Sequence, residues 1–239
     1  MYMNPIEGKT ILVTGASRGI GRAIALRFAK AGAHLIITAR NQADLDSLAN
    51  EIHALGRRCL AIAADLADPD QLQELAQKAL ASGQIDVLVN NAGVGSWAPI
   101  QELTLRQLND MLDVNVRAVF LLSQALCGPM VQRGTGHIIN ITSTSSHVAY
   151  PEGTAYCASK FAALGFSEAL ARELRPSGVR VTAISPGQVN TYLGGGGPAD
   201  WEEGMLNGED IAELALQAIS LPPHAIVTEM VVWPRAEEF

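Results

Sequence analysis

Short apolar runs rich in Ile, Val and Leu alternate along the chain with longer segments whose apolar residues recur at helical spacing. The runs that predict strands are residues 10–14, 35–38, 58–63, 86–89, 137–141, 179–184 and 226–232. The segments that predict helices are residues 20–31, 45–55, 70–80, 105–131, 155–174 and 211–219. Strands that are apolar on both faces and separated by helices predict a parallel sheet that is covered on both sides.

The predicted architecture is α/β. It is a single doubly wound, Rossmann-type domain with a seven-stranded, mainly parallel sheet and helices on both faces. The 239 residues are enough to bury one substantial core, and no internal repeat or linker divides them, so we expect one domain over residues 1–239. Four consecutive glycines at 194–197 predict a flexible loop, and we expect a short substrate loop around residues 190–208.

Charge and apolar patterning exclude several classes of protein. The 24 acidic residues outnumber the 17 basic ones, and no basic stripe could follow a phosphate backbone, so we expect no nucleic-acid partner. Residues 1–8 are too short and too polar for a signal peptide. Charge or glycine interrupts every later apolar run before membrane-spanning length. These features favour a soluble, cytoplasmic protein without membrane contact.

The three cysteines, Cys59, Cys127 and Cys157, are odd in number and far apart in the sequence. None of them stands at a spacing typical of a metal site. We therefore expect three small buried thiols, with neither a disulfide nor a bound metal.

A glycine-rich turn follows the first predicted strand, at residues 14–21, and a helix begins close to Ile20. The free N–H groups and the positive dipole end of that helix point back at the turn, where a pyrophosphate would fit. Gly15, Gly19 and Gly21 would let the backbone approach the phosphates, although their spacing differs from G-x-G-x-x-G. Taken alone, the glycines are equally compatible with a tight strand-to-helix connection that binds nothing.

The end of the second predicted strand bears on the choice of cofactor. Proteins that prefer NAD place a carboxylate there to hold the ribose hydroxyls, whereas this chain has Ala39 and Arg40. The guanidinium groups of Arg18 and Arg40 could clasp the 2′-phosphate of NADP. The sequence therefore predicts NADP(H) in preference to NAD(H). The alternative for Arg40 is a solvated strand end.

Tyr156 and Lys160 stand four residues apart in a predicted helix, so their side chains share one face. A nearby ammonium favours the phenolate, and we expect Lys160 to lower the pKa of Tyr156 toward working pH. Such a phenol can deliver a proton to a carbonyl oxygen that is being reduced by hydride. The same four-residue spacing also occurs by chance in many helices.

Two further polar residues belong to this hypothesis. Ser143 follows the strand 137–141, so its hydroxyl can lie at the carboxyl edge of the sheet and bond a substrate oxygen. Asn115 falls inside a long predicted helix, where asparagine is an unfavourable residue. Holding a water molecule in a proton relay would explain its presence there. The alternative for Ser143 is an ordinary Ser-rich loop.

Taken in order, these motifs resemble those of the short-chain dehydrogenase/reductase family, over nearly the whole chain. The matching residues are Thr14-Gly15-x-x-x-Gly19-x-Gly21, Asn90-Asn91-Ala92-Gly93, Asn115, Ser143, Tyr156-x-x-x-Lys160 and Pro186-Gly187. Within the family, the chain looks similar to 3-oxoacyl-carrier-protein reductases or to small-carbonyl reductases.

The resemblance implies an NADP(H)-dependent oxidoreductase that moves a hydride between the nicotinamide and a carbonyl or secondary alcohol. It implies a tetrad in which Tyr156 is the acid/base, Ser143 orients the substrate, Lys160 also binds the nicotinamide ribose and Asn115 positions a relay water. The implied cofactor contacts are Gly15, Ser17, Arg18, Gly19, Ile20, Gly21, Arg40, Asp65, Leu66, Asn91, Ala92, Gly93, Tyr156, Lys160, Pro186, Gly187, Val189 and Thr191. A homotetramer or homodimer built from the helices that carry Asn115 and Tyr156 is also implied.

The resemblance weakens after Thr191, where many family members carry a longer lid. The short loop and the tail resemble members that act on small ketones, hydroxy acids or sugars. The predicted substrate contacts are Ser145, Gln188 and Tyr192, with Val94, Gly95, His147, Tyr150 and Trp201 as further candidates for the pocket wall. We assign no chemistry to His147. Trp97 and Trp201 can be pocket, interface or core residues, and the sequence does not separate these roles.

Other functions stay open from the sequence. One is a 3-oxoacyl-carrier-protein reductase, whose acidic carrier would dock on Arg133, Arg172 and Arg175, unless these form a solvated helix face. A second is a non-catalytic NADP-binding regulatory protein, because a fold does not fix a function. A third is a synthase or epimerase that uses transient oxidation.

Overall fold

The computed structural model describes residues 6–236, so the first five residues of the polar segment 1–8 lie outside the described residues. Its centre is a seven-stranded sheet in the order β3-β2-β1-β4-β5-β6-β7, and every pairing is parallel. The strands are β1 (Thr10–Thr14), β2 (His34–Ala39), β3 (Cys59–Ala63), β4 (Val87–Asn90), β5 (Gly136–Ile141), β6 (Val179–Pro186) and β7 (Glu229–Val232).

Helices cover both faces of this sheet. They are α1 (Gly19–Lys30), α2 (Gln42–Ala54), α3 (Pro69–Ala81), α4 (Leu105–Leu112), α5 (Ala118–Arg133), α6 (Thr154–Leu174) and α7 (Gly208–Ser220). One core lies under α1, α2 and α7, and a second lies under α3, α5 and α6. The predicted doubly wound, Rossmann-type α/β fold is confirmed, and the sheet is entirely parallel.

The two cores follow from the two-residue period of a strand. In β1, the side chains of Ile11 and Val13 join the core under α1, whereas Leu12 joins the core on the opposite face. All three are fully buried. A strand in the middle of this sheet therefore has to be apolar at successive positions, which explains the unbroken apolar runs in the sequence.

Two predicted elements need correction. The segment 105–131 is not one α-helix, because a π-helical turn, Asp113–Arg117, separates α4 from α5, and α5 ends at Arg133. Pairing in the last strand begins at Glu229 and not at residue 226, and the carbonyl of Val227 before it accepts a hydrogen bond from the Thr182 hydroxyl at 2.6 Å.

Within the described residues, the helical stretch Leu105–Arg133 is long and apolar enough to cross a membrane by length and composition. The expectation that charge or glycine interrupts every apolar run before membrane-spanning length is therefore wrong for this stretch. About 44 % of its most apolar window is buried inside the fold, where Leu122 and Leu126 join the core under α3, α5 and α6. A core helix of this kind passes the same test, so the stretch is weak evidence for a membrane.

The cysteines differ in their surroundings. Cys157 is buried, but Cys59 and Cys127 are only partly buried, so the prediction of three buried thiols is wrong for those two. Cys59 begins β3, which is an edge strand with a neighbour on one side only. Burial nevertheless raises the pKa of the Cys59 thiol to about 12, which keeps it protonated.

Residues 6–236 contain no group of three or more His, Cys, Asp or Glu side chains able to hold a metal ion.

Because all seven strands are parallel, their carboxyl ends lie at one edge of the sheet. The chain moves outward from β1 to β2 and β3 on one side, and from β4 to β7 on the other. The loops after β1 and β4 therefore diverge at this edge and leave a crevice between them.

Gly21 fixes how closely α1 packs on that crevice. A Cβ at Gly21 would overlap the carbonyl oxygen of Gly15 and the side-chain nitrogen of Asn91. We expect Gly21→Ala to lower the free energy of unfolding by about 1–3 kcal/mol, the usual cost of overpacking. Gly128→Ala is the matched control, because Gly128 also lies in a helix but a Cβ there would meet no atom within 4 Å. Chemical denaturation of both variants would test this, and equal stabilities would contradict it.

Candidate active site

A cleft of about 990 Å³ runs along the carboxyl edge of the sheet. The residues that immediately follow the strands form much of its wall, including Gly15 after β1, Asn91 after β4 and Thr142 after β5. The predicted cofactor residues that line it are Gly15, Ser17, Arg18, Gly19, Ile20, Arg40, Asp65, Leu66, Asn91, Ala92, Gly93, Tyr156, Lys160, Pro186, Gly187, Val189 and Thr191. Gly21 does not line the cleft, and its place is the packing of α1 described above.

The turn between β1 and α1 is held by the first residues after β4. Gly15 has a φ of +64°, and a Cβ there would come within 2.8 Å of the Cα of Ala92. The side-chain nitrogen of Asn91 donates to the carbonyls of Thr14 (2.9 Å) and Gly15 (3.3 Å), and the Thr14 hydroxyl accepts from the backbone N–H of Asn91 at 3.0 Å. Asn91 therefore braces the turn as well as lining the cleft.

The start of α1 differs from the starts of α2 and α3. Asn41 and Asp68 cap α2 and α3 with their side chains, whereas no side chain caps α1 and its first turn holds no acidic residue. The first N–H groups of α1 therefore face the glycine turn without a side-chain partner. Together with the close approach that Gly15 allows, this arrangement fits the pyrophosphate of a dinucleotide.

Arg18 and Arg40 both line the cleft. Arg40 is exposed at the end of β2, and the Arg18 guanidinium lies 5.0 Å from the centre of the Tyr192 ring. Asn41 and Asp44, at the start of α2, also line this part of the wall and were not predicted from the sequence. The first turn of α2 places them there, beyond the strand end at which Arg40 was predicted.

Tyr156 lies in the first turn of α6, which contacts the Ser-rich segment that follows β5. The side chain is 5 % exposed, and burial raises its pKa to about 12. A hydrogen-bonding interaction with the Ser143 side chain acts in the opposite direction, and Tyr150 adds to the increase. The Ser143 oxygen also accepts from the N–H of Ser145 at 3.1 Å, which fixes its orientation.

Lys160 is one helical turn after Tyr156, and its Nζ lies 5.8 Å from the centre of the Tyr156 ring. The Nζ donates to the carbonyl of Ile141 at 3.2 Å. Burial lowers the pKa of Lys160 to about 8. The expectation that Lys160 brings the pKa of Tyr156 down is therefore wrong for this arrangement, because burial of the phenol dominates.

Asn115 lies in the π-helical turn and is 2 % exposed. Its Oδ1 accepts from the N–H of Val94 at 2.9 Å, and its Nδ2 donates to the carbonyl of Val94 at 2.9 Å and to Ser159 Oγ at 3.0 Å. Ser159 Oγ in turn donates to the Tyr156 carbonyl. The Asn115 side chain is not part of the cleft wall. It ties the loop after β4 to the helix that carries Tyr156.

Ser145, Gln188 and Tyr192 line the cleft, as do Val94, Tyr150 and Trp201. Gly95 and His147 do not line it, and the prediction for these two is corrected. His147 turns away because its Nε2 contacts Glu229 Oε1 at 2.6 Å, and Gly95 packs under the Trp97 ring.

Trp97 is a cleft residue, which settles one of the roles that the sequence left open. Other wall residues that the sequence did not indicate are Ala64, Val114, Thr142, Thr144, Val148 and Trp233. Several of these directly follow a strand, so the position of each strand end is the signal that would have identified them.

The arginines considered for a carrier lie far from the cleft. Arg133 donates to the carbonyl of Ile85, just before β4, and Arg172 and Arg175 lie at the far end of α6. At 1.5 Å per residue, Arg175 is roughly 28 Å along the helix from Tyr156. These arginines are at the amino edge of the sheet, opposite the edge that carries the cleft, and the 3-oxoacyl-carrier-protein reductase stays an alternative prediction.

Comparison with known proteins agrees with this geometry. The family model described as short chain dehydrogenase matches residues 9–197. The chain is 36 % identical over 232 residues to the sepiapterin reductase of Chlorobaculum tepidum, covering 94 % of this chain and 95 % of that protein.

Solved structures share the whole fold. An alcohol dehydrogenase from the archaeon Thermococcus sibiricus, complexed with 5-hydroxy-NADP, superposes with a TM-score of 0.92 at 31 % identity and covers 97 % of this chain and 99 % of its own. A short chain dehydrogenase from Burkholderia cenocepacia in complex with NADP has a TM-score of 0.86 at 34 % identity, covering 96 % and 98 %. The chain therefore belongs to the short-chain dehydrogenase/reductase family of oxidoreductases.

Proposed function

We propose that this protein is an NADP(H)-dependent oxidoreductase that interconverts a carbonyl and a secondary alcohol, with Tyr156 as the acid/base. The observation that carries the proposal is the meeting of three side chains, Tyr156, Ser143 and Lys160, in the cleft that also contains the phosphate-binding turn. The chain acts as one cofactor-binding and catalytic unit, because the residues for both tasks line a single cleft.

The raised pKa of Tyr156 suits reduction. A phenol with a pKa of about 12 carries its proton at neutral pH and can donate it to a carbonyl oxygen. Ser143, which also lines the cleft and interacts with the Tyr156 hydroxyl, orients the substrate. Lys160 binds the nicotinamide ribose and, when protonated, stabilises the phenolate left by proton transfer. The nicotinamide, when bound, supplies or accepts the hydride.

Asn115 is a positioning residue in this proposal. Its three hydrogen bonds hold the backbone of Val94 against the Tyr156 helix, so the cleft wall and the acid/base keep a fixed separation. The water-holding role implied by the family resemblance stays a prediction.

For the cofactor, Arg18 and Arg40 are proposed to take the 2′-phosphate of NADP(H), with the pyrophosphate on the first turn of α1. The lack of a side-chain cap on α1 supports this assignment. So do the titles of two similar structures, which describe complexes with NADP or 5-hydroxy-NADP. Asp65 and Leu66 would contact the adenine, and the segment from Pro186 to Thr191 would hold the carboxamide.

The proposed substrate is a small carbonyl or alcohol compound bound by Ser145, Gln188 and Tyr192, and the proposed compartment is the cytoplasm. A homodimer or homotetramer through the α5 and α6 surfaces is also proposed. Apolar side chains that these helices leave exposed support it, among them Phe120 and Phe161, at 47 % and 45 % exposure.

Removal of the Tyr156 hydroxyl tests the mechanism. We expect Tyr156→Phe to lower kcat by about 10²–10⁴-fold, the usual contribution of a general acid. Binding of NADPH, followed by its fluorescence, should be retained, because the phosphate-binding turn is untouched. Normal turnover by a correctly folded Tyr156→Phe protein would overturn the proposed role.

The direction of the Tyr156 shift predicts a pH dependence. Alcohol oxidation needs the phenolate, and a raised pKa keeps the phenolate scarce, so kcat for oxidation should increase by up to about tenfold per pH unit above neutrality. Ketone reduction needs the protonated phenol and should not show that increase. Profiles of kcat against pH in both directions would check this. Oxidation that is independent of pH from about 6 upward would contradict it.

The cofactor assignment predicts a selective loss. Charge-assisted hydrogen bonds contribute roughly 1.5–3 kcal/mol, so Arg18→Ala and Arg40→Ala should each raise the KM for NADPH by about tenfold or more and leave the KM for NADH nearly unchanged. Arg22→Ala is the control of equal charge, since Arg22 pairs with Glu51 and does not line the cleft. Equal effects on both cofactors would show that neither arginine reads the 2′-phosphate.

A further inference from the structure

The indole of Trp97 lies directly against the proposed acid/base. Its ring centre is 5.3 Å from that of Tyr156, with the planes inclined by 45°. Its Nε1 donates to the hydroxyl of Tyr150 at 2.9 Å, so the ring orientation is fixed. The indole therefore forms part of the cleft wall next to the Tyr156 ring, where a substrate carbonyl would receive its proton.

Two glycines from different loops make room for the indole. A Cβ at Gly95 would come within 2.6 Å of the far edge of the ring, and a Cβ at Gly194 would overlap its Cζ3. Gly153 does the same for the Tyr150 ring, where a Cβ would clash with Cε2. The Trp97 side chain therefore extends from the loop after β4 to the loop that contains residues 190–208, and it packs against glycines in both loops.

A second aromatic pair stands in that same loop. The rings of Tyr192 and Trp201 meet edge to face, with centres 6.0 Å apart, and both residues line the cleft. Aromatic faces of this kind bind planar rings better than they bind short alkyl groups, because offset and edge-to-face ring contacts add to the burial of apolar surface.

The charges that line the cleft are already assigned. Arg18 and Arg40 belong to the cofactor phosphate, and the buried Lys160 donates to the Ile141 carbonyl. The charged group contributed by the 190–208 loop is the carboxylate of Asp200, which accepts from the N–H of Gly197 at 3.0 Å. Among the described wall residues, no further cation is left to pair with an anionic substrate, and burying an unpaired carboxylate is costly.

We propose that Trp97 is a specificity-determining residue and that the physiological substrate is an uncharged ketone or diketone bearing a planar ring that lies against the indole. This inference rests on the proposed function. In the reduction, the carbonyl carbon receives the hydride and its oxygen receives the Tyr156 proton, so a secondary alcohol forms as NADPH is oxidised to NADP⁺.

Three small ketones, two diketones and one 2-oxo acid, test the proposal through their ring and their charge. Acetylbenzoyl is neutral with a phenyl ring, diacetyl is neutral without a ring, and phenylglyoxylate has the ring and a negative charge. With NADPH, we expect kcat/KM for acetylbenzoyl to exceed that for each of the other two by about tenfold or more. A preference for diacetyl, or equal use of phenylglyoxylate, would overturn the inference.

Variants then assign the preference to Trp97. In Trp97→Ala, the ratio of kcat/KM for acetylbenzoyl to that for diacetyl should fall by about tenfold, mainly through KM. Trp97→Phe keeps a ring and should restore most of the ratio, and Tyr150→Phe, which releases the indole nitrogen, should lower it about threefold. If the ratio is unchanged in all three variants, Trp97→Ala, Trp97→Phe and Tyr150→Phe, Trp97 does not determine the preference for the ring.

The two proposals fail in different ways. Reduction of the diketones with no preference for the ring would overturn the inference and leave the proposed function intact. Reduction of other ketones but none of these three would likewise overturn the inference alone, whereas binding of NADPH without reduction of any carbonyl compound would overturn both.

Discussion

The parallel direction of all seven strands is the constraint on which the molecule depends. It brings every carboxyl strand end to one edge, so residues separated by more than two hundred positions, from Gly15 to Trp233, line the same cleft. This arrangement requires several backbone segments to approach each other closely. At Gly15 and Gly21 the turn, the helix and the loop after β4 come so near that no side chain fits between them.

Burial has opposite effects on the two ionisable side chains at the centre of the cleft. It raises the pKa of Tyr156 and lowers that of Lys160, because in each case the neutral form is favoured away from water. Both groups are therefore closer to neutral than they would be in solution. A site of this kind holds its proton on the phenol, and its lysine remains mostly protonated at neutral pH while losing its charge more readily than a lysine in water.

The fold was predictable from the sequence because the spacing of apolar residues identifies each strand and helix locally. The structure forms its strands and helices at these segments and joins the strands into a parallel sheet. The sequence also predicted that Tyr156, Ser143 and Lys160 would share one site, since strand ends and helical spacing determine their placement. The π-helical turn at Asn115 was not predicted, and the hydrogen bonds that hold this side chain run to Val94, 21 residues earlier in the chain, beyond the reach of local sequence periodicity. The pKa of Tyr156 was predicted in the wrong direction, since spacing reveals a neighbouring charge but not the depth of burial. The outward turn of His147 likewise depends on Glu229, a partner 82 residues away.

The contact between Trp97 and Gly194 has a consequence for how such an enzyme can diverge. Gly194 has a φ of +73°, and any side chain there would enter the space that the indole occupies. A side chain at position 194 therefore fits only if the side chain at position 97 becomes smaller. Substitutions at these two positions should show strong epistasis. A lineage that first loses the indole gains freedom to elaborate the 190–208 loop, whereas one that keeps it is held to a short, glycine-rich loop. The length of that loop and the identity of residue 97 are thus expected to be inherited together.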